Sequence, residues 1–373
     1  MTPISIFGVT NNTVRANSPT AIFIGISLII IIFIRQSVRI RSKRLERSLN
    51  CEAPRDESDR FQFDIFGIVK ALELGYHFHN KSSLEYTNSL FGRYGETYAS
   101  YIMGYRLFFT HSAENTKHLL STAFSDFESS PLRKPLFEPI TPHGIFTLDG
   151  PQWKASRDQL RGRLANLRKI IDLNVCEEHF QAFLKHVPNN GGLFDVQSCT
   201  FALSLDLQTL FSLGESIDAL SFNQSAEKKQ FFDDLLFVKT RIVHDGFRGP
   251  LRHLYPKGPF LRACERVRAF VLTRASREIR KRKKKSEMVV LDEDSEDITQ
   301  LTDQALSILL ANDSMSTILS GVFFCLAKDQ HIVGKLRKSI VDAIGLSPPT
   351  WNDLGSLQYV RWVIYEGKIL CPI

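Results

Sequence analysis

The residues of this sequence that could do chemistry begin with an acid and a hydroxyl side by side. Asp313 and Ser314 lie in the middle of the stretch 301–340, an otherwise apolar segment with a helical pattern. Two polar groups that interrupt such a segment either serve a site inside the protein or lie at a capped or solvent-facing position. The residues alone leave both interpretations open.

A second candidate pair, Trp153 and Arg157, is spaced by four residues just after Gly150-Pro151. Proline near a helix start is well placed there, and positions i and i+4 share one face of a helix. The two side chains could therefore address one ligand together, and a guanidinium is well suited to a carboxylate. The alternative is an ordinary amphipathic pair.

The cysteines and histidines predict no metal site. The six cysteines show no Cys-x-x-Cys and no regular spacing, which indicates buried thiols in a reducing compartment and no disulfide framework. His77 and His79 are two residues apart, so on a helix they point to different sides, and no third ligand is near them in the sequence.

Helices must position most of these residues. A chain of 373 residues with 43% hydrophobic and 23% charged content is globular. Alternation predicts a β-hairpin over 97–110 with its turn at 104–106. The predicted helices are 83–94, 112–122, 152–167, 176–186, 195–213, 228–243, 261–282, 302–326 and 332–344. The predicted fold class is mainly α with a small β-sheet.

The N-terminal region predicts a membrane anchor. Residues 21–34 are uncharged and apolar, and as a helix they would cover about 21 Å of the ~30 Å hydrocarbon core, with flanking residues extending the span. A cleaved signal peptide would need basic residues before this stretch, whereas the basic cluster lies after it, between 35 and 47. The positive-inside rule then predicts a lumenal N-terminus and a cytosolic main domain.

The net charge of +7 is concentrated in that cluster and in a second one at 280–285. No nucleic-acid recognition motif accompanies either cluster, so a solvated helix end or a membrane-facing patch is expected and nucleic acid is not a predicted partner.

Two segments resemble the cytochromes P450. The stretch 144–157 is similar to the family's Trp-x-x-x-Arg segment, and Leu-Ala-Asn-Asp-Ser-Met at 310–315 resembles Ala-Gly-x-Asp-Thr-Thr of its oxygen-activating helix. The stretches 115–127, 144–150 and 213–220 resemble the fungal alkane and fatty-acid hydroxylase branch. The resemblance runs from near residue 51 to residue 373.

The resemblance implies haem-thiolate monooxygenation of a lipophilic substrate, either fatty-chain or secondary-metabolite, at the endoplasmic reticulum membrane. Electrons would come from NADPH through a membrane-bound cytochrome P450 reductase. By resemblance, Asp313 and Ser314 are the proton relay, Trp153 and Arg157 contact the haem propionates, and Glu366 is a structural acid.

The sequence departs from the family near its end. Glu366 matches the first residue of Glu-x-x-Arg, but Ile369 stands at the arginine position, so a buried Glu366 would lack its partner. Gly367 is expected to weaken this helix. The family's ligand loop, Phe-x-x-Gly-x-x-x-Cys-x-Gly, does not occur before residue 373, and neither Cys325 nor Cys371 has its surroundings.

We therefore expect an incomplete P450-type fold with one transmembrane helix: a lumenal N-terminus at 1–20, an anchor at 21–40, a charged linker at 41–60 and a truncated P450-like domain at 61–373. Haem is the cofactor of the intact family, and this chain is expected neither to bind it nor to be active. Three hypotheses remain: a mis-spliced or truncated version of a working monooxygenase, a genuine inactive member, and a membrane-tethered binding or scaffold protein.

Overall fold

The computed structural model describes residues 54–57, 64, 66–128, 132–165, 171–284 and 298–370, and single residues between 25 and 48. The chain forms two compact units, Met1–Thr116 and Lys117–Ile373. The prediction of a mainly α fold with a small sheet is confirmed, and the sheet lies in the first unit.

The N-terminal unit contains a three-stranded sheet and two longer helices. Its elements are β1 (Arg55–Asp56), α1 (Ile68–His79), α2 (Ser83–Tyr94), β2 (Thr97–Ile102) and β3 (Tyr105–Thr110), and α3 (Ala113–Lys117) lies at the boundary. β1 is parallel to β2, and β2 is antiparallel to β3. Met103 and Gly104 both have positive φ and form the two-residue turn typical of a hairpin. The predicted hairpin is confirmed, with its turn slightly earlier than expected.

A buried cation holds the N-terminal unit together. Lys70 of α1 is 4% exposed, pairs with Glu57 after β1 and donates a hydrogen bond to the Tyr86 hydroxyl of α2. Glu73 lies 3.3 Å from the same ammonium group. Because a buried charge is stable only when it is paired, these contacts fix β1 and α2 against α1.

The described part of the second unit is mainly helical, with irregular connections and single helical turns between the α-helices. The α-helices are α4 (Lys134–Phe137), α5 (Gly150–Ala165), α6 (Leu173–Leu184), α7 (Val196–Leu213), α8 (Ala226–Arg248), α9 (Gly258–Lys284), α10 (Ile298–Leu310), α11 (Asn312–Lys328), α12 (Gln330–Ile344), α13 (Trp351–Ser356) and α14 (Gln358–Leu370). Side chains cap several of them: Asp172, Asp195, Ser225 and Asp329 accept backbone N–H groups at the starts of α6, α7, α8 and α12.

Four helices, α7 to α10, enclose the main hydrophobic core of this unit. Leu205, Leu235, Val267, Leu306 and Leu309 are each at most 1% exposed within it. The stretch Ile298–Lys328, which comprises α10 and α11, is also the one described segment long and apolar enough to cross a membrane. Within this stretch α10 is largely buried in the core, whereas α11 is mostly half-buried or exposed.

Most of the predicted anchor lies outside the described residues. Those that are described are helical, and Ile29 and Phe33 are 67% and 72% exposed. The predicted lumenal N-terminus at 1–20 lies wholly outside the described residues, and so do residues 285–297.

Candidate functional site

The predicted helix 302–326 is interrupted at the candidate motif. α10 ends at Leu310, Ala311 has φ −82° and ψ 5°, and α11 begins at Asn312. The Ala311 N–H is shared between the carbonyls of Ser307 and Ile308 at 3.2 and 3.1 Å. The expectation of one continuous helix was therefore wrong at this residue, and the break puts Asp313 in the first turn of α11, where the helix dipole favours an acid.

Asn312 fixes this break to α7. Its side-chain amide donates to the Phe201 carbonyl at 3.2 Å, and its side-chain oxygen accepts from the Ser204 hydroxyl. One turn earlier in α7 and one turn later in α11, the hydroxyls of Thr200 and Ser316 lie 3.2 Å apart. The signal for this polar seam was present in the sequence as small polar residues spaced by four, and sequence reasoning missed it.

Asp313 and Ser314 both lie at the exposed start of α11. Asp313 forms an ion pair with Lys239 of α8, with 2.8 Å between Oδ1 and Nζ. The lysine side chain is 9% exposed and the aspartate side chain is 61% exposed. Burial lowers the pKa of Lys239, and the Asp313 carboxylate opposes that shift. The acid is thus exposed on one side and held by a buried cation on the other.

Trp153 and Arg157 share one face of α5, as their spacing predicted. The guanidinium carbon of Arg157 lies 5.3 Å from the centre of the Trp153 ring, within the range of a cation–π interaction. The Trp153 ring is half-buried and lies 5.4 Å from the Phe124 ring, whereas Arg157 is exposed. An exposed guanidinium oriented by an aromatic ring can bind a carboxylate.

The two candidate pairs are connected through α10. Gln159 of α5 accepts a hydrogen bond from the Gln304 side chain at 2.8 Å and another from Gln300 at 3.2 Å. The segment before α5 is also close to α10: a Cβ on Gly144 would lie 2.7 Å from the Ser307 hydroxyl oxygen. Position 144 therefore requires glycine because the backbone approaches α10 too closely for a side chain.

Asp303 anchors the same segment. It is fully buried, accepts the His143 N–H at 2.7 Å and pairs with Arg268 of α9, which also donates to the Ile140 carbonyl at 2.7 Å. Burial raises the pKa of Asp303, while the His143 N–H and Arg268 act in the opposite direction. Sequence reasoning did not select Asp303, since one acid in an amphipathic helix gives no sign of burial.

The expectations for Glu366 and Gly367 need correction. Glu366 is exposed, so the unpaired buried carboxylate that the sequence suggested does not arise. Gly367 is the buried residue: α14 turns it toward α11, where a Cβ would lie 2.5 Å from Val322 Cγ2. Packing between α11 and α14 thus uses the glycine that was expected to weaken the helix.

The described residues fit only part of a haem site. Arg157 with Trp153 suits a carboxylate such as a propionate. The described cysteines, in contrast, all lie within helices: Cys176, Cys199, Cys264 and Cys325. Burial raises the pKa of the Cys176 and Cys199 thiols, and that of Cys264 to about 12, which opposes the thiolate that iron requires. An axial ligand is therefore not found among the described residues.

Other metal chemistry is not indicated in the part of the chain that the structure describes. No group of three potential ligands among histidine, cysteine, aspartate and glutamate occurs there. His77 contacts Ser82 through Nδ1 at 2.9 Å and stacks on Tyr86 at 4.0 Å, so it has a structural role.

Comparison with known proteins identifies the class. The cytochrome P450 family matches residues 64–367, and the chain belongs to this family. It is 30% identical to cytochrome P450 52A12 of Debaryomyces hansenii, over 93% of this chain and 71% of that protein. It is 33% identical to cytochrome P450 52A8 of Candida tropicalis, over 69% and 54% of the two chains. It is 28% identical to the cytochrome P450 monooxygenase himC of Aspergillus japonicus, over 83% and 58%.

The predicted family is confirmed, and so is the resemblance to the fungal alkane and fatty-acid hydroxylase branch. The chain spans between about half and about seven-tenths of the length of these relatives.

Proposed function

We propose that the protein containing this chain is a membrane-bound monooxygenase of a lipophilic, fatty-chain substrate, with a cytochrome P450 reductase as electron donor. The observation that carries the proposal is the break at Ala311, which places Asp313 and Ser314 at an exposed turn at the end of a core helix. An acid next to a hydroxyl can transfer protons. The family membership supplies the reaction class.

Trp153 and Arg157 are proposed as the contacts to the haem propionates. Their supporting features are the shared helix face, the cation–π contact and the exposure of the guanidinium. Asp313 and Ser314 are proposed as the proton relay. Glu366 is proposed as the acid of the Glu-x-x-Arg motif. Because its side chain is exposed, it is not proposed as a buried acid.

We further propose that residues 1–373, expressed alone, do not bind haem through a thiolate and are not catalytic. The helical position of the described cysteines and the raised pKa of three of them support this proposal. Reduced protein treated with carbon monoxide should then show no thiolate-type absorption band. A stoichiometric band of that type would refute the proposal and direct attention to Cys325 and Cys371.

A chimera tests the monooxygenase function. Residues 1–365 would be joined to the remainder of cytochrome P450 52A12, beginning at the glutamate of its Glu-x-x-Arg motif, and expressed with reductase. We expect a carbon monoxide band and hydroxylation of a medium-chain fatty acid or alkane. Arg157→Ala should reduce haem content, and Ser314→Ala should reduce turnover with haem retained. A haem-loaded chimera that hydroxylates neither substrate would contradict the proposed substrate class.

Sequencing the transcript beyond codon 366 separates the remaining hypotheses. A downstream ligand loop in any frame would favour a working monooxygenase. Without such a loop, the chain would be an inactive member or a tethered binding protein, and binding of a fluorescent fatty acid by haem-free protein would favour the second.

We also propose a single membrane span with a lumenal N-terminus in the endoplasmic reticulum. The exposed, apolar, helical residues Ile26, Ile29, Ile30 and Phe33 support it. Full-length protein should resist carbonate extraction, and a variant lacking residues 1–48 should not. Extraction of the full-length protein by carbonate would contradict the anchor.

A further inference from the structure

A buried lysine from outside both sequence motifs reaches the proposed acid. Lys239 lies in the middle of α8, and its ammonium group is between the Phe201 ring of α7, at 5.0 Å, and the Asp313 carboxylate of α11, at 2.8 Å. Since the lysine is nearly inaccessible to water, these two groups must replace much of its hydration. The ion pair therefore differs from a solvated surface pair on the lysine side only: the ammonium group is buried and makes no hydrogen bond of normal geometry, whereas the carboxylate is 61% exposed.

Two adjacent residues at the break are held from two different helices. Asn312 is bound by α7 through the Phe201 carbonyl and the Ser204 hydroxyl, and Asp313 is bound by α8 through Lys239. Phe201 takes part in both, because its carbonyl accepts from Asn312 and its ring supports Lys239. Movement of the first turn of α11 would disturb both sets of contacts together.

We propose that Lys239 is a positioning residue for Asp313: its ammonium group holds the carboxylate in place at the break between α10 and α11. This inference rests on the proposed function in one respect, the role of Asp313 as the acid of the site. The arrangement itself is made by side chains of α7, α8 and α11 and by the backbone carbonyl of Phe201. It can therefore be measured on protein without haem.

Amide hydrogen exchange at the break tests the proposal. The N–H groups of Ala311 and Ser314 are hydrogen bonded across it, to Ser307, Ile308 and Ala311, so they report its local opening. We expect Lys239→Met to increase exchange in peptides covering 308–318 about tenfold, as a lost, partly buried pair implies. Lys239→Arg, which keeps the charge, should restore most of the protection. The measurements would use the full chain in detergent micelles.

A matched control lies on the same helix. Lys228, near the start of α8, pairs with Asp218 at 2.5 Å. Lys228→Met therefore removes a comparable ion pair from the same helix at a position far from Lys239 and from the break. Exchange over 308–318 should not change in this variant. Equal exchange in Lys239→Met and the unmodified protein would overturn the proposal, and so would a failure of arginine to restore protection.

The double variant separates positioning from general packing. If Lys239 acts through Asp313, Lys239→Met should add little to the exchange already increased by Asp313→Asn. A further tenfold increase in the double variant would show that the lysine acts by another route and would overturn the inference. A chimera without hydroxylase activity would refute the proposed function, but it would not change these exchange results.

Discussion

Replacing Gly367 by alanine tests how α11 and α14 pack. In an exposed helix, alanine in place of glycine stabilises by about 1 kcal/mol. At Gly367 the new Cβ would lie 2.5 Å from Val322 Cγ2 and 3.4 Å from its Cα, well inside the ~3.5–4.0 Å of a normal carbon contact. Valine has one strongly preferred χ1 rotamer in a helix, so the methyl group cannot turn away cheaply.

The expected result is a net loss of stability. Overpacking of this kind costs about 1–3 kcal/mol, and subtracting the helix-propensity gain leaves a net destabilisation of about 0–2 kcal/mol. Denaturant unfolding of the full chain in detergent micelles would measure it. Gly334→Ala is the matched control, because Gly334 lies inside α12 with no neighbouring atom within 4 Å of its Cβ position, and it should stabilise.

A second substitution isolates the clash. Val322→Ala removes the methyl group that obstructs residue 367, so in that background Gly367→Ala should be neutral or stabilising. The free-energy difference between the two backgrounds is the coupling of the pair. If Gly367→Ala alone stabilises as much as Gly334→Ala does, the close approach of the two helices is refuted.

Three further predictions use the same unfolding measurements. Asp313→Asn should lower the free energy of unfolding by about 1–2 kcal/mol more than Lys239→Met does, because only Asp313→Asn leaves a buried ammonium group unpaired. Equal losses of stability in the two variants would contradict this prediction. The difference in unfolding free energy between these two variants should narrow from pH 7 to pH 10. Burial lowers the pKa of Lys239, so as the pH rises native Asp313→Asn releases a proton that its unfolded chain still holds, and the stability of that variant increases. A difference that stays constant over this range would argue against burial of the lysine. Gly144→Ala should cost about 1–3 kcal/mol, since its Cβ would lie 2.7 Å from the Ser307 oxygen, and no loss would contradict that approach.

The elements that local patterns determine were predicted well from the sequence. The helix Ser83–Tyr94 was predicted with its observed bounds, and alternation located the hairpin, because both depend on residues close together in the chain. The start of α7 follows Asp195, whose side chain caps it by accepting the N–H groups of Gln197 and Ser198.

The features that were missed depend on contacts between distant residues. The apolar pattern continues through Ala311 and gives no sign of the break, which coincides with the hydrogen bond from Asn312 to the Phe201 carbonyl of α7. Lys239 is far from Asp313 in the sequence and lies in an amphipathic helix, where lysine is normally exposed. Gly367 was judged by helix propensity, whereas its close approach to Val322 decides its role.

The contacts that organise the proposed acid do not involve a haem-ligand segment. Asn312 and Asp313 are held by α7 and α8, and Asp303 fixes the segment before α5 to α10 and α9. All of these groups belong to the described residues of the second unit. Because their partners are already present, the proposed acid and the proposed propionate-binding pair should keep their geometry whether or not a ligand loop is joined to the chain. We therefore expect a chimera to require only the iron ligand and its surroundings, with no reorganisation around Asp313.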